Sequence, residues 1–466
     1  MTFSKTINTI LIVVAAMLSP FLLYNLDWKN GYFLPIALLM TIMVLVMAVI
    51  NFENLILGLI ILLPTIYNYN YIKINVFNFL PGNDLELYLN PASVIYVLIV
   101  LFGIMTIIEN RHKLKNLPLR IILLLNFIWI GASIFWSDNK EISIIELIYF
   151  LVPFSLYIIS YCYFNTSKAF IKITLAAVFS SIIPLLFSFK QIINNEYFYE
   201  ADSSLGRLTS TMTHPNSLGL YLVLIIGLIT AYYLAKENRK ISQNKTLFIY
   251  GFLLLAILIM TYSRTAWFCL AAFFLLFLLA EKKILQFILI FSPFAIYMMF
   301  MIESIKIRIF EIFDSAIFNS ITARENIWRV AWSKITEKPL IGYGVGNSES
   351  VIENAKDWQG GMSLPHNDYL LQTLELGLVG LLLFIAYTYG AIYHIVKSFN
   401  SLSAKYIKIN SKNFNFKMLS FGILAIYLAL IPSTFLESLS QKILIQIILW
   451  SLLGSLFALK KTAPQQ

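Results

Sequence analysis

Two of the chain's four histidines stand where an imidazole can do chemistry. His366 belongs to Ser363-Leu-Pro-His366-Asn367-Asp368, where Pro365 restricts the backbone and Asn367 and Asp368 open an apolar run. Its ring is therefore expected to be held at the mouth of a helix. An imidazole accepts a proton near neutrality without special tuning, so a general base and a helix-capping residue are the two roles open to it. His214, followed by Pro215 and Asn216, reads either as a substrate contact together with Asn216 or as the polar start of a helix with proline in its first turn. His112 and His394 fall on the other side of the membrane in the topology below and read as ordinary residues.

Arginine supplies the complementary chemistry. Arg264, in Met260-Thr-Tyr-Ser-Arg264-Thr-Ala-Trp267, is a permanent charge between two apolar runs. A charge at membrane depth costs several kcal/mol unless paired, so it marks a functional site, unless the side chain snorkels to the headgroups. Arg207 is placed on the same side, and a guanidinium fork suits phosphate oxygens. Arg324 shares a helix face with Trp328, Ala331 and Ile335, whereas Arg329, Ser333 and Thr336 share another. Arginines near a histidine point to a lipid-linked phosphate or diphosphate as substrate. There is no HExxH, GxSxG or Walker loop, and no DxD pair in an outer link, so neither a metal nor another cofactor is expected. Cys162 and Cys269 both lie in apolar segments, which leaves no disulfide framework.

The elements that must position these residues are membrane helices. Hydrophobic residues make up 59% of the 466 and charged residues 12%, too apolar for a water-soluble fold. The net charge of +10 sits in short clusters between apolar runs, which speaks for membrane topology and against nucleic acid. With about 20 apolar residues needed per span, the sequence predicts an all-α polytopic membrane protein of about 14 transmembrane helices. These lie near 7–26, 32–50, 54–69, 91–108, 119–136, 144–163, 170–188, 215–235, 246–262, 265–280, 284–302, 367–396, 418–434 and 442–459. The first is expected to be an uncleaved helix and not a signal peptide. Residues 1–302 thus hold helices 1–11, 303–366 one long, partly helical extracytoplasmic loop, and 367–466 helices 12–14. Lys and Arg in the short links favour an inside N-terminus by 20 to 7, with both termini cytoplasmic and the long loop outside. Within that loop, 303–315 reads as an amphipathic surface helix. Thr322-Ala-Arg-Glu325 has the spacing of a capping box, so a second helix is expected to start there and stop before Pro339. The glycines of Ile341-Gly-Tyr-Gly-Val-Gly346 read as a flexible connector or as a turn that approaches a ligand.

Together, Gly206-Arg207-Leu-Thr-Ser-Thr with Asn216, Ser263-Arg264-Thr, Arg324-Glu-Asn-Ile-Trp328 through Pro339-Leu-Ile-Gly342-Tyr-Gly344, and His366-Asn367-Asp-Tyr-Leu with Glu375-Leu-Gly377-Leu-Val-Gly380 resemble the bacterial O-antigen ligase and polymerase family of membrane glycosyltransferases. The resemblance covers about 206–380 and implies a multi-pass protein of the bacterial cytoplasmic (inner) membrane. It implies transfer of a glycan from undecaprenyl diphosphate, on the extracytoplasmic face and without metal, to a hydroxyl of a glycan, lipid-core or protein acceptor. On that resemblance Arg207, Arg264 and Arg324 would hold the diphosphate and His366 would deprotonate the acceptor, with His214, Asn216, Asn367 and Asp368 as further contacts. The basic and aromatic groups of the long loop suit a sugar acceptor, and polymerisation is expected ahead of ligation. A lipid-linked glycan flippase would show related halves and midplane charges, which the sequence lacks. In a non-catalytic envelope-assembly subunit the loop would be a docking surface.

Overall fold

The computed structural model describes residues 51–66, 72–75, 86–89, 91–199, 205–238, 240–280, 319–358, 363–402, 406–409 and 412–459, with four isolated positions between 289 and 297. The expected spans 7–26 and 32–50, all of 284–302 but those four positions, and the surface helix at 303–315 lie outside the described residues. In chain order the helices are α1 Phe52–Ile66, α2 Pro91–Leu114, α3 Arg120–Ser133, α4 Lys140–Tyr163, α5 Ser167–Phe179, α6 Ile182–Asn194 and α7 Pro215–Ala235. They continue as α8 Lys245–Met260, α9 Arg264–Ala280, α10 Asn319–Glu337, α11 Ser348–Glu353, α12 Asp368–Ser401, α13 Phe416–Leu436 and α14 Ile443–Leu459.

Among the described residues six helical stretches are long and apolar enough to cross a membrane: Ile95–Leu114, Lys140–Tyr163, Ser167–Asn194, Pro215–Ala235, Asp368–Ser401 and Phe416–Leu436. Five shorter apolar helices accompany them. The protein is an α-helical membrane protein, with two departures from an all-helical reading. Antiparallel hairpins pair β1 Ile72–Asn75 with β2 Glu86–Leu89, and β3 Tyr406–Ile409 with β4 Lys412–Asn415.

Side chains set many helix starts. Asn139, Thr166, Asn367 and Asn415 each accept a hydrogen bond from backbone N–H groups of the first turn, which satisfies donors no helix can pair internally. The expected span at 170–188 is jointed at Ser180-Ser181, whose hydroxyls meet the phenols of Tyr221 and Tyr250. Helices α7 and α14 are apolar all round, as helices enclosed by other helices must be. Apart from Asn216 and Gln446 every residue in them is buried. Helix α7 packs on α13 where Gly422 lies against Ala231, and α14 packs on α4 where Gly454 lies against the Tyr157 carbonyl; a side chain at either glycine would collide.

The links sort onto two ends of the bundle. At one end Lys236 bridges Phe414, and Glu237 accepts from Asn413, so the basic 236–245 and 397–417 links lie together. At the other, Asn139 donates through its N–H to Asn347 at 3.1 Å, and Ser143 donates to the Val345 carbonyl at 2.6 Å. The 137–143 link and the long loop therefore share the second end.

Two expectations for the long loop are corrected. Helix α10 begins at Asn319, so Thr322 lies inside it and does not cap it, although the stop before Pro339 holds. The glycine run is not a slack connector. Gly342, Gly344 and Gly346 all have positive φ, and the turn wedges into α12 where that helix breaks at Gly377, φ +68°. Across the break Tyr343 and Gly344 donate their N–H groups to the Leu374 and Glu375 carbonyls at 3.0 and 2.8 Å, Trp129 Nε1 donates to Leu376 O at 2.9 Å, and Leu378 donates to Pro339 O at 2.8 Å. The carbonyls a helix break exposes are thus re-satisfied by protein, as an apolar setting demands.

Candidate active site

The second end of the bundle converges on a residue the sequence reading passed over. Glu437 is the C-cap of α13, in the short link before α14, and its side chain is 1% exposed. Its Oε1 accepts from Asn216 Nδ2 at 2.5 Å and lies 3.2 Å from Arg324 Nη2; its Oε2 lies 3.4 Å from His366 Nδ1. One carboxylate therefore ties α7, α10 and the His366 turn together. Burial alone would raise its pKa, but the His366 ring, Lys442 and Arg324 outweigh that and draw it down to about 2.

His366 is held from three directions. Its backbone is left-handed, φ +48°, a conformation that costs a non-glycine residue about 1–2 kcal/mol and persists only where surroundings enforce it. Trp328 Nε1 donates to the Pro365 carbonyl at 2.7 Å, which confirms that the Arg324 face of α10 looks toward this turn, while Arg329 is exposed and bonds Asn326. Asn367 caps α12, and Asp368, fully buried, accepts from Ser440 Oγ at 2.5 Å and from Ser440 N. Asp368 thus pins the link that carries Glu437.

The arginines separate. Arg207 is 1% exposed, with Nε donating to Thr261 O at 2.9 Å and Nη2 to Asn216 Oδ1 at 2.7 Å. It aligns Asn216, and through it Glu437, from behind. Arg264 is half-buried at the first position of α9, three residues beyond Thr261. Arg324 is 25% exposed, and its buried Nε has no hydrogen-bond partner among the described residues. Thr211 Oγ1, Trp267 Nε1 and Ser438 Oγ are buried donors in the same condition, each within four residues of a site residue.

His214 takes the capping role: its Nδ1 accepts from Asn216 N at 3.2 Å. Burial and the nearby Lys442 push its pKa down to about 4, against the pull of Glu437. Among the described residues no group of three His, Cys, Asp or Glu side chains could hold a metal ion. The sequence reading missed Glu437 and Lys442. Their signal was present, since a carboxylate and an ammonium five residues apart in a short link between two apolar helices are charges at the membrane edge.

Comparison with known proteins finds stretches of similarity to glycan-related ligases and transferases. A provisionally named polysaccharide ligase of Rickettsia felis is 40% identical over 90 residues, 17% of this chain and 22% of that protein. Another from Rickettsia conorii is 36% identical over 106 residues, 21% of this chain and 22% of its own length. A ComP-specific O-oligosaccharyltransferase of Acinetobacter baylyi is 29% identical over 167 residues, 34% of this chain and 29% of that protein. The matches therefore span less than a third of each relative. The sequence model of the O-antigen ligase family matches residues 249–385, a stretch holding Arg264, Arg324 and His366 but neither Arg207 nor Glu437. Over that stretch the chain is similar to the O-antigen ligase family.

Proposed function

We propose that the protein transfers a glycan from undecaprenyl diphosphate to an acceptor hydroxyl at the extracytoplasmic face of the bacterial cytoplasmic membrane. The observation that carries this is the His366–Glu437 contact at 3.4 Å, flanked by Arg324. An imidazole whose Nδ1–H faces a buried carboxylate presents its Nε2 as proton acceptor, the arrangement of a base oriented by a third group. In the reaction, the acceptor oxygen forms its bond to the anomeric carbon as the bond from that carbon to the diphosphate oxygen breaks. His366 Nε2 takes the hydroxyl proton, and undecaprenyl diphosphate departs with its charge met by Arg324, Arg264 and Lys442. Arg207 acts behind them by positioning Asn216. A diphosphate is already a good leaving group, so alignment, a base and cationic groups suffice, with no divalent metal.

The site end lies opposite the lysine-rich links, which supports an extracytoplasmic site under the positive-inside rule. The relatives named as ligases and as an oligosaccharyltransferase favour transfer to a second acceptor over the polymerisation expected from the loop. Purified protein in lipid, given a lipid-linked repeat unit alone, should then give no product until a lipid-core or protein acceptor is added. A ladder from the donor alone would instead mean a polymerase. Transfer at the wild-type rate by His366→Ala would overturn the site assignment itself.

A further inference from the structure

Beside the cationic site lies a cavity of opposite character. It has a volume of about 160 Å³ and is lined by residues from α3, α4, α12 and α14, among them Glu146, Gln372, Glu375, Gln446 and Trp450. It adjoins the site through the 437–442 link: Ser440 and Gln441 line it, and Ser440 is the residue that holds Asp368. Gln372 stands one helical turn beyond Asp368, about 6 Å along the axis.

Its walls divide by chemistry. One is aromatic: Phe154 and Trp450 have ring centroids 4.7 Å apart, Phe150 and Phe154 4.5 Å, and Tyr387 lies 6.0 Å from both Phe154 and Trp450. This wall is fixed in place, since Trp450 Nε1 donates to Gln446 Oε1 at 3.1 Å and Gln446 Nε2 donates to Leu439 O at 3.0 Å. The other wall is polar. Glu375 accepts from Ser348 N, whereas the side chains of Glu146, Gln372 and Gln441 make no hydrogen bond to another described residue.

The lining contains two carboxyl groups and no lysine or arginine, so nothing in it can neutralise a diphosphate. A long polyprenyl chain would leave the carboxyls and amides unpaired, which is costly in a buried setting. A sugar ring satisfies both walls: its C–H faces lie on aromatic rings, and its hydroxyls donate to carboxyl and amide oxygens. We infer that this cavity is a pyranose subsite, which receives one sugar unit while the diphosphate lies against Arg324, Arg264 and Lys442. The inference rests on the transfer reaction proposed above and assigns that reaction its sugar-recognising residues. The sugar belongs either to the donor glycan or to the acceptor, and the test has an arm for each.

Binding is measured on the full-length protein in nanodiscs. The probes are bare undecaprenyl diphosphate, the same lipid carrying glucose, galactose or N-acetylglucosamine, and free oligosaccharides of those sugars. Wild type is compared with Gln372→Leu, Glu146→Gln and a control, Glu141→Gln, an exposed carboxylate on the same helix. At least one sugar-bearing lipid or free oligosaccharide should bind, and Gln372→Leu and Glu146→Gln should each weaken it at least fivefold, with bare lipid unchanged. Loss of the extra affinity of a glycosylated lipid assigns the subsite to the donor, and loss of oligosaccharide binding assigns it to the acceptor. If no sugar adds affinity in either arm, or if the cavity variants bind every probe as wild type does, the subsite is refuted. Unaltered melting of the variants separates a lost contact from a lost fold. Bare-lipid binding reads the transfer proposal independently: its absence in wild type sinks that proposal and not the sugar cavity.

Discussion

At the scale of single residues, His366→Ala is expected to slow transfer about 10²–10⁴-fold, the usual worth of a general base, while lipid-diphosphate binding persists. Single-turnover assays beside a binding isotherm separate the two effects. Glu437→Ala should do more, because it leaves Arg324 beside an empty acceptor position and unties Asn216 as well. Breaking a buried ion pair costs about 3–5 kcal/mol, so a lower thermal midpoint should accompany the lost activity. Arg329→Ala, on the exposed face of α10, should change neither. Acid should weaken the fold through His214. With a folded pKa of about 4 and an unfolded one near 6.5, the unfolded chain binds the extra proton between those values. Stability is thus fully present above pH 6.5 and falls toward pH 4. His214→Asn, which can still cap α7, should flatten that fall in a series of melting curves. Of these residues, His366, Arg324 and Asn216 were legible because each sits beside a marker such as a proline, a helix face or an apolar boundary. Arg207 was legible as important but not as a buried positioning group, since spacing says nothing about which donors the backbone will use. Glu437 went unread because its partners lie 71 to 221 residues away along the chain.

At the scale of elements, apolar runs were readable from composition, whereas the caps at Asn139, Thr166 and Asn415 were not. The breaks at Ser180-Ser181 and Gly377 were not, because hydropathy does not register a change of backbone direction inside an apolar stretch. The Gly377 break gives a clear expectation. Its φ of +68° disfavours any side chain, and a Cβ there would collide with the Leu340 carbonyl. Gly377→Ala should lower stability by more than the 1–2 kcal/mol of the backbone strain and take activity with it. Gly251→Ala, in α8, meets only the Ile229 methyl at 3.9 Å and should be neutral or raise the midpoint, since glycine in a helix costs about 0.5–1 kcal/mol. Differential scanning fluorimetry on the purified variants checks both.

At the scale of the molecule, the prediction is sidedness. Cys162 and Cys269 are buried, so a cysteine at exposed Ser333 reports its own access. An impermeant maleimide should label Ser333→Cys in intact cells whose outer barrier has been opened. Labelling only after the cytoplasm is exposed would invert the topology. The interruption of α12 also governs how the bilayer can act on the chemistry. Residues 378–401 ride in the lipid and must tilt as the hydrocarbon thins or thickens, but the segment 368–376 is fastened to the glycine turn, to Trp129 and, through Asp368, to Ser440. Fastened in this way, the joint should act as a vibration mount, so that motion of the lipid-borne shaft dies out before it reaches His366. Turnover should accordingly stay level across bilayers of short and long acyl chains, where an unbroken α12 would pass each change of thickness directly to the base.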